Sequence, residues 1–262
     1  MLSSTAKVVT SPTIKENVMP EGPDYYDSMS DLYANETEGV NFTREWYRHR
    51  ARYASLKDYK DENKIFIMGP HGGSIESGTT ELALATAGFV KNFNGAPYTS
   101  ITHNYFIFNG TNPSDENGKL HVTASHYDDA DANELVSSSL ISFAFHGCTD
   151  LQPNESTGQG YRACLIGGRD QALKEILEVQ LVTAGFNAFI TSQDDLDGSL
   201  PSNIINKNKR KRGAQIELTT SLRKSFYTKH NRKDRRKNTT ADFWLIVNAI
   251  RASIEEYEVQ FV

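Results

Sequence analysis

Short apolar runs alternate along the chain with longer stretches of helical periodicity, and this pattern predicts a layered fold. Apolar runs bounded by glycine, proline or polar clusters predict strands at residues 65–68, 101–108, 120–124, 138–145, 161–166, 186–190 and 214–218. Apolar residues spaced three and four apart predict helices at residues 25–35, 79–87, 170–184 and 241–259. Strands that alternate with helices are typical of an α/β fold, so we expect a central mixed or mostly parallel sheet flanked by helices.

The same pattern predicts one domain preceded by a polar arm. Residues 1–24 are polar and contain Pro12 and Pro20, which is typical of a flexible N-terminal arm. Neither a linker nor a repeat divides residues 25–262, so we expect a single domain there. No apolar run approaches the roughly 18–20 residues that cross a bilayer, so no membrane contact is expected. We expect a monomer, although no pattern in the sequence determines the oligomeric state.

The cysteines and the Asn-x-Ser/Thr sequons leave the cellular compartment open. Cys148 and Cys164 can pair as a disulfide or remain free thiols. The first ten residues do not combine a basic segment with a following apolar run, so no signal peptide is evident. The five sequons mildly favour secretion. A trimmed leader, release by lysis and an intracellular role all stay open.

Charge is distributed unevenly along the chain. The whole sequence has a net charge of −5, yet residues 207–237 hold 13 of the 28 Lys and Arg residues and only two of the 33 acids. We call residues 207–212 the first basic cluster and residues 229–237 the second basic cluster. Such a segment on an acidic body favours an anionic partner, whether a polymer, a nucleic acid or a phosphate. A solvated basic loop explains the charge equally well.

Several polar side chains directly follow predicted strands. In α/β sheets, ligands bind beyond the carboxyl ends of the strands, so these side chains are candidates for a binding site. His71 follows the first strand, and Glu76 comes five residues later in a glycine-rich loop. His146 and Glu217 end two further strands. Two imidazoles and a carboxylate match a catalytic zinc site, which keeps a fourth position for water. A further carboxylate can take the proton of that water.

Each of these residues also has a structural explanation. A histidine at a strand end is more often a hydrogen-bonded loop residue than a metal ligand. Glu81 is explained as an acid in the first turn of a helix, where it interacts with the helix dipole, and we leave it outside the metal site. Glu217 interrupts an apolar strand, and a buried acid without a partner is costly, so we expect it to have a function or a salt bridge.

Six ordered segments of the chain carry a resemblance to a known family. The segments are Ile67–Glu81 (IMGPHGGSIESGTTE), Leu120–Asp128 (LHVTASHYD), Phe143–Gly147 (FAFHG), Ile166–Gly168 (IGG), Asn203–Asn206 (NIIN) and Gly213–Arg223 (GAQIELTTSLR). Together they resemble the signature of the phage-type poly-γ-glutamate hydrolase family, over a region from about Tyr25 to the C-terminus. The resemblance implies a zinc-dependent endo-hydrolase of γ-glutamyl amide bonds with a fold similar to the zinc carboxypeptidases.

The resemblance also implies roles for individual residues. Zn²⁺ would be held by His71, Glu76 and His146, and Glu217 would be the general base and acid. Substrate carboxylates or the scissile carbonyl would be contacted by His126, Asn206 and Arg223, with Arg169 as a weaker candidate that also fits a helix start. The first basic cluster is more basic and longer than the family pattern, so it is expected to grip a polyanion or to change the substrate. The second basic cluster lies beyond the signature and is expected to be a solvated loop.

Two other functions fit the same residues. A zinc hydrolase could act on small acyl-amino acids or peptide C-termini, and the dependence of rate on polymer length distinguishes this activity from polymer hydrolysis. A non-enzymatic polyanion-binding protein would bind nucleic acid through the basic segment, with the His and Glu residues structural. Aromatic residues that could stack on bases are sparse in that segment, with Phe226 and Tyr227 alone, which argues against nucleic acid.

Overall fold

A seven-stranded mixed sheet organises the residues that the computed structural model describes, which are 24–48, 64–97, 101–113, 116–152 and 162–262. Its strands are β1 (Phe42–Tyr47), β2 (Ile65–Gly73), β3 (Asn104–Gly110), β4 (Ile141–Cys148), β5 (Cys164–Gly168), β6 (Ala188–Ile190) and β7 (Ala214–Thr219). The α-helices are α1 (Met29–Asn35), α2 (Thr79–Thr86), α3 (Ala130–Ser138), α4 (Gln171–Thr183), α5 (Thr220–Ser225) and α6 (Ala241–Phe261). The predicted arm lies outside these ranges except for Asp24.

The strands follow the order β1-β3-β2-β4-β7-β5-β6 across the sheet. The four neighbours β3, β2, β4 and β7 run parallel to one another, whereas β1 is antiparallel to β3 and β5 is antiparallel to β7. The carboxyl ends of the four parallel strands therefore meet along one side of the sheet, which we call the carboxyl edge. The opposite side, where β7 begins, is the amino edge.

Helices cover both faces of the sheet and bury one apolar cluster on each. One cluster joins alternate strand residues such as Phe143 and Phe145 to α2, α4 and α6. The other joins Phe66, Met68 and Ala144 to α1 and α3. None of the helices within the described ranges has the length and apolar composition needed to span a bilayer. The predicted single-domain α/β fold with a mixed sheet flanked by helices is confirmed.

Some predicted elements differ from the observed ones. The predicted strand at residues 120–124 is wrong, because two short 3₁₀ helices, Asn117–Leu120 and Ala124–His126, flank an irregular segment there. The strand β1 and the helices α3 and α5 were not predicted. The two cysteines are free and buried, and Cys148 and Cys164 belong to different apolar clusters.

Candidate metal centre

Three of the predicted site residues meet at the carboxyl edge because their strands run parallel. His71 belongs to β2, His146 to β4 and Glu217 to β7. His146 and Glu217 are direct partners in the register of β4 against β7. The ring centroids of His71 and His146 lie 5.0 Å apart, and Nδ1 of His146 lies 3.9 Å from Oε1 of Glu217.

A β-bulge in β2 turns His71 towards His146. The register of β2 against β3 shifts between Gly69 and Gly72, so β2 has one extra residue there. Successive strand residues point to opposite faces, and an extra residue therefore moves the following side chains to the other face. His146 follows the alternation of Ala144 and lies on the face covered by α1 and α3. The bulge brings His71 to that same face.

Glu76 reaches back to the strand ends from the turn that follows β2. Gly73 adopts a φ of 69°, a left-handed conformation that favours glycine, and this turns the chain. The backbone N–H of Glu76 then donates to the carbonyl oxygen of His71 at 2.8 Å. Its Oε1 lies 2.9 Å from Nδ1 of His71, and its Oε2 accepts a hydrogen bond from the N–H of Gly147 at 2.7 Å. Glu76 thus joins the ends of β2 and β4.

The contacts of His71 require a cation between Nδ1 and Glu76. Nε2 of His71 lies 2.8 Å from the carbonyl oxygen of Val122, which can only accept, so Nε2 carries a hydrogen. Nδ1 therefore faces a carboxylate oxygen and needs either a proton or a metal ion. Burial alone would lower the pKa of His71, but the Glu76 carboxylate outweighs burial and raises this pKa. Burial alone would raise the pKa of Glu76, but the charge and the hydrogen bond of His71 lower this pKa to about 2.

His146 offers an unpartnered nitrogen to the same site. Its Nε2 is buried and has no hydrogen-bond partner among the residues of the described ranges. Burial lowers the pKa of His146 to about 3, so the imidazole is neutral and keeps a lone pair. Two imidazoles and one carboxylate form a donor set that zinc accepts in catalytic sites. The residues gathered here therefore fit a divalent metal ion.

His121 is a third histidine in the cluster and was not selected from the sequence. Its ring centroid lies 3.9 Å from that of His71. One potential ligand atom from each of His71, Glu76 and His121 lies within 4.8 Å of the other two. His121 lies in the segment Leu120–Asp128 that carries part of the family resemblance, and within this segment the resemblance implied a role for His126 instead. The sequence signal was present, but the predicted strand hid which side chain faces the site.

Asp24, which precedes α1 in the chain, orients the ring of His121. Oδ1 of Asp24 lies 2.9 Å from Nδ1 of His121, and Oδ2 accepts a hydrogen bond from the N–H of Thr123. Burial opposes ionisation of Asp24, yet these hydrogen bonds and the charge of His121 lower its pKa to about 2. A carboxylate on one nitrogen of an imidazole fixes the ring orientation and leaves the other nitrogen for a ligand.

Glu217 is a buried acid in an apolar strand, as its sequence context indicated. The residue is 6% exposed, and its Oε1 accepts a hydrogen bond from Nε2 of Gln215 at 3.1 Å. Burial, together with the nearby Glu76 carboxylate, raises the pKa of Glu217 well above its ordinary value. Gln215 and Glu217 are two residues apart in β7 and so face the same side of the sheet.

Arg223 lies beside the cluster, and four hydrogen bonds to other groups of the protein fix its guanidinium group. Nε donates to the carbonyl oxygen of Leu218 and Nη1 to that of Ser77, both at 3.0 Å. Nη2 donates to the carbonyl oxygen of Cys148 and to Oγ1 of Thr220. A guanidinium group has five N–H donors, so one hydrogen on Nη1 is left after these four bonds.

The other predicted substrate-binding residues do not join this group. The side chain of His126 is 57% exposed, with Nδ1 3.8 Å from Oδ2 of Asp24, so it lies on the rim next to His121. Asn206 donates to the carbonyl oxygens of Gly198 and Leu200.

The amino edge holds both Asn206 and Arg169. Oδ1 of Asn206 accepts from the N–H of Gly213, which precedes β7. Because β5 is antiparallel to β7, Gly168 pairs with Ala214, and the carboxyl end of β5 also lies at the amino edge. Arg169 follows there, and its Nη1 contacts the carbonyl oxygen of Ser199 at 3.4 Å. The carboxyl end of a strand therefore lies at the candidate site only if the strand runs parallel to β2, and β5 does not.

Comparisons with known proteins agree with the resemblance found in the sequence. A family model described as poly-gamma-glutamate hydrolase matches residues 26–249. The UPF0714 protein YmaC of Bacillus subtilis is 28% identical over 235 residues, which are 89% of this chain and 85% of YmaC.

Two solved structures are similar to this chain over most of both lengths. A bacteriophage poly-gamma-glutamate hydrolase matches with a TM-score of 0.72 and 26% identity, over 90% of this chain and 99% of its own. A zinc-free apo form of YndL matches with a TM-score of 0.69 and 22% identity, over 88% of this chain and 98% of its own, and it supports the fold.

Proposed function

The chain belongs to the poly-gamma-glutamate hydrolase family, and from this premise we propose that it is a zinc-dependent endo-hydrolase of γ-glutamyl amide bonds in poly-γ-glutamate. The observation that carries the proposal is the cluster of His71, Glu76 and His146 at the carboxyl edge, with Glu217 beside it. One acid, Glu76, lies within hydrogen-bonding distance of His71. The second, Glu217, is 3.9 Å from His146, and its Oε2 has no hydrogen bond within the described ranges. A metal-dependent hydrolase needs this division between a ligand and a proton carrier.

Zinc would be held by His71, Glu76 and His146. The unpartnered Nε2 of His146 and the pair of Nδ1 and Oε1 between His71 and Glu76 support this assignment. The similar YndL structure is described as zinc-free, which further supports zinc as the metal. When bound, zinc supplies a Lewis acid that polarises a carbonyl group and lowers the pKa of water to about 7. His121 is the alternative third ligand, favoured by its position within 4.8 Å of the other two.

Glu217 would accept a proton from the attacking water and pass it to the leaving amine. Gln215 binds Oε1 of Glu217, which leaves Oε2 to carry the proton. Arg223 would donate the remaining hydrogen of Nη1 to the oxygen of the scissile carbonyl, since its other four hydrogens fix the guanidinium group. His126, exposed on the rim, would contact a substrate carboxylate.

The size distribution of poly-γ-glutamate after incubation with the protein tests the proposal. We expect a fast fall in average length, because internal cuts shorten a polymer quickly. A chelator should abolish the fall and added zinc should restore it. An unchanged polymer with a zinc-loaded protein would reject this substrate and favour a small acyl-amino acid or a peptide, whose cleavage would not depend on polymer length. A protein that neither binds zinc nor cuts the polymer would overturn the proposal.

The variant Glu217→Gln tests the role of the second acid. We expect it to keep zinc and to lose turnover by a factor on the order of 10²–10⁴, the range attributed to a positioned general base. Glu175→Gln is the matched control. Glu175 is an exposed acid on α4, and its substitution removes the same single negative charge. Zinc content by elemental analysis and polymer length by size-exclusion chromatography are the measurements. Full turnover in Glu217→Gln would remove Glu217 from the mechanism.

A further inference from the structure

The second basic cluster is fixed to the carboxyl edge, contrary to the solvated loop expected from its sequence. Arg235 is 1% exposed, and its Nε lies 2.8 Å from Oε2 of the buried Glu81. Nη2 of Arg235 donates to the carbonyl oxygen of Gly73, the last residue of β2. His71 lies two residues before Gly73, so this bond ties the cluster to the strand that carries the metal centre.

The first basic cluster lies at the amino edge. It precedes Gly213, the residue before β7, and Nε of Arg212 lies 3.2 Å from Oδ2 of Asp170 at the start of α4. The guanidinium group of Arg210 stacks over the ring of Tyr257 in α6. Of the two basic clusters, it is the second that lies at the carboxyl edge, the same edge as the candidate metal centre.

An open cleft of about 510 Å³ lies where the second basic cluster meets the sheet. One wall is formed by Ser74, Thr111 and Asn112, which follow the ends of β2 and β3. The other wall is residues 231–234. Ser74 stands between His71 and Glu76 in the chain, so the cleft and the metal centre share one loop.

The cleft presents two cations without an ion pair and one amide N–H without a hydrogen bond, as far as the described residues go. Arg232 and Lys233 are exposed and form no ion pair with the acids in the described ranges, and Nη1 of Arg232 reaches only the carbonyl oxygen of Gly110, at 3.4 Å. Asp234, the acid in the wall, accepts a hydrogen bond from Asn231. Nδ2 of Asn112 is buried with no partner among the described residues, while its Oδ1 accepts from Asn41.

We infer that this cleft is a subsite for a carboxylate of the substrate polymer, bound by Arg232, Lys233 and Nδ2 of Asn112. The inference rests on the proposed function, because poly-γ-glutamate carries one free carboxylate per residue. Two cations and an amide N–H are donors suited to a carboxylate, whereas a neutral ligand would leave both charges unbalanced. An endo-acting enzyme must hold the chain on both sides of the cut, and the cleft would hold it beside the metal centre.

The double variant Arg232→Gln/Lys233→Gln tests the subsite. Its control is Lys209→Gln/Lys211→Gln, which removes the same charge from two exposed lysines of the first basic cluster. Binding of fluorescently labelled poly-γ-glutamate is measured by anisotropy in a Glu217→Gln background, and KM and kcat are measured on the unlabelled polymer with Glu217 present. We expect the cleft variant to raise Kd and KM about fivefold to tenfold, in line with the modest strength of exposed charge pairs. We expect kcat to stay within twofold, because these residues do not touch the reacting atoms.

The outcomes separate the subsite from the proposed function. If the cleft variant matches the control in both Kd and KM while the polymer is still cut, the subsite is wrong and the proposed function stands. If both double variants weaken binding equally, the charge acts over the whole molecule and the subsite is again wrong. If the wild-type protein does not cut the polymer, the proposed function fails, and the Kd ratio of the two variants still decides whether the cleft binds a polycarboxylate.

Discussion

Gly147 has no side chain, and the space that a Cβ atom would take is filled by the guanidinium group of Arg223. A Cβ atom there would lie 2.5 Å from Nε and 2.6 Å from Cζ of Arg223. The backbone N–H of Gly147 also donates to Glu76. One glycine in β4 therefore lets the buried guanidinium group of Arg223 and the Glu76 carboxylate approach the strand closely.

We expect Gly147→Ala to lower polymer cleavage by about 100-fold, since displacements near 1 Å in an active site have effects of that size. Gly69→Ala in β2 is the matched control, because a Cβ atom there meets only ordinary contacts at 3.5 Å or more. Cleavage rate is measured alongside urea unfolding to separate activity from stability. Wild-type activity in Gly147→Ala would show that Arg223 can move without cost to the reaction.

Single substitutions test whether His146 or His121 is the third ligand of the proposed zinc site. We expect His146→Ala to lose stoichiometric zinc, because it removes a donor atom. We expect His121→Ala to retain zinc with an affinity lowered by about 10–100-fold or less, the range seen for residues that support a ligand. His126→Ala, on the exposed rim, is the control. Equilibrium dialysis against zinc measures all three, and the reverse order would assign the metal to His121.

At the scale of elements, apolar periodicity predicted most of the sheet but misassigned one segment. Leu120, Val122 and Ala124 alternate with polar residues as in a strand, and all three are buried. Alternation of apolar and polar residues indicates that one side of a segment is buried. It does not indicate that the backbone forms hydrogen bonds with a neighbouring strand, and this segment forms none of the strands of the sheet. The edge strand β1 escaped prediction because charged Arg44 and Glu45 interrupt its apolar residues.

The link between α2 and the second basic cluster is an ion pair of Arg235 with Glu81, and both residues are buried. We expect Arg235→Met to lower the free energy of unfolding by about 3–5 kcal/mol, because it leaves Glu81 buried without its partner. Glu81→Gln added to Arg235→Met should recover part of this loss. Arg236→Met is the control, since its ion pair with Glu45 is partly exposed and is expected to contribute about 1 kcal/mol or less. Urea unfolding measures each variant, and equal effects at both positions would contradict the prediction.

At the scale of the whole molecule, the fold divides a single basic segment of sequence between two edges of the sheet. The first basic cluster lies at the amino edge, where Arg212 contacts Asp170 and Arg210 stacks over the ring of Tyr257. The second cluster leaves Arg232 and Lys233 at the carboxyl edge. The charged side chains that line the cleft, Arg232, Lys233 and Asp234, therefore sum to a positive charge, whereas the whole chain has a net charge of −5.

We expect kcat/KM on long poly-γ-glutamate to fall several-fold as ionic strength rises from 0.01 to 0.15 M, because the Debye length shortens from about 30 to about 8 Å. The fall should be smaller for Arg232→Gln/Lys233→Gln than for Lys209→Gln/Lys211→Gln. Initial cleavage rates at fixed pH and zinc provide the measurement. A rise of kcat/KM with salt would mean that the acidic body repels the polymer more strongly than the cluster attracts it.

The sequence by itself determined the α/β fold and the four residues at the centre of the proposed site, because apolar periodicity locates strands and ligands bind where strands end. It did not determine which strand ends share an edge. The antiparallel direction of β5 moves Arg169 to the amino edge, and the bulge in β2 turns His71 to the face of His146. The approach of His121 and the anchoring of Arg235 depend on residues 50 or more positions apart in the chain. Only the tertiary structure decides such contacts, since strand direction and long-range packing leave no local periodicity to detect.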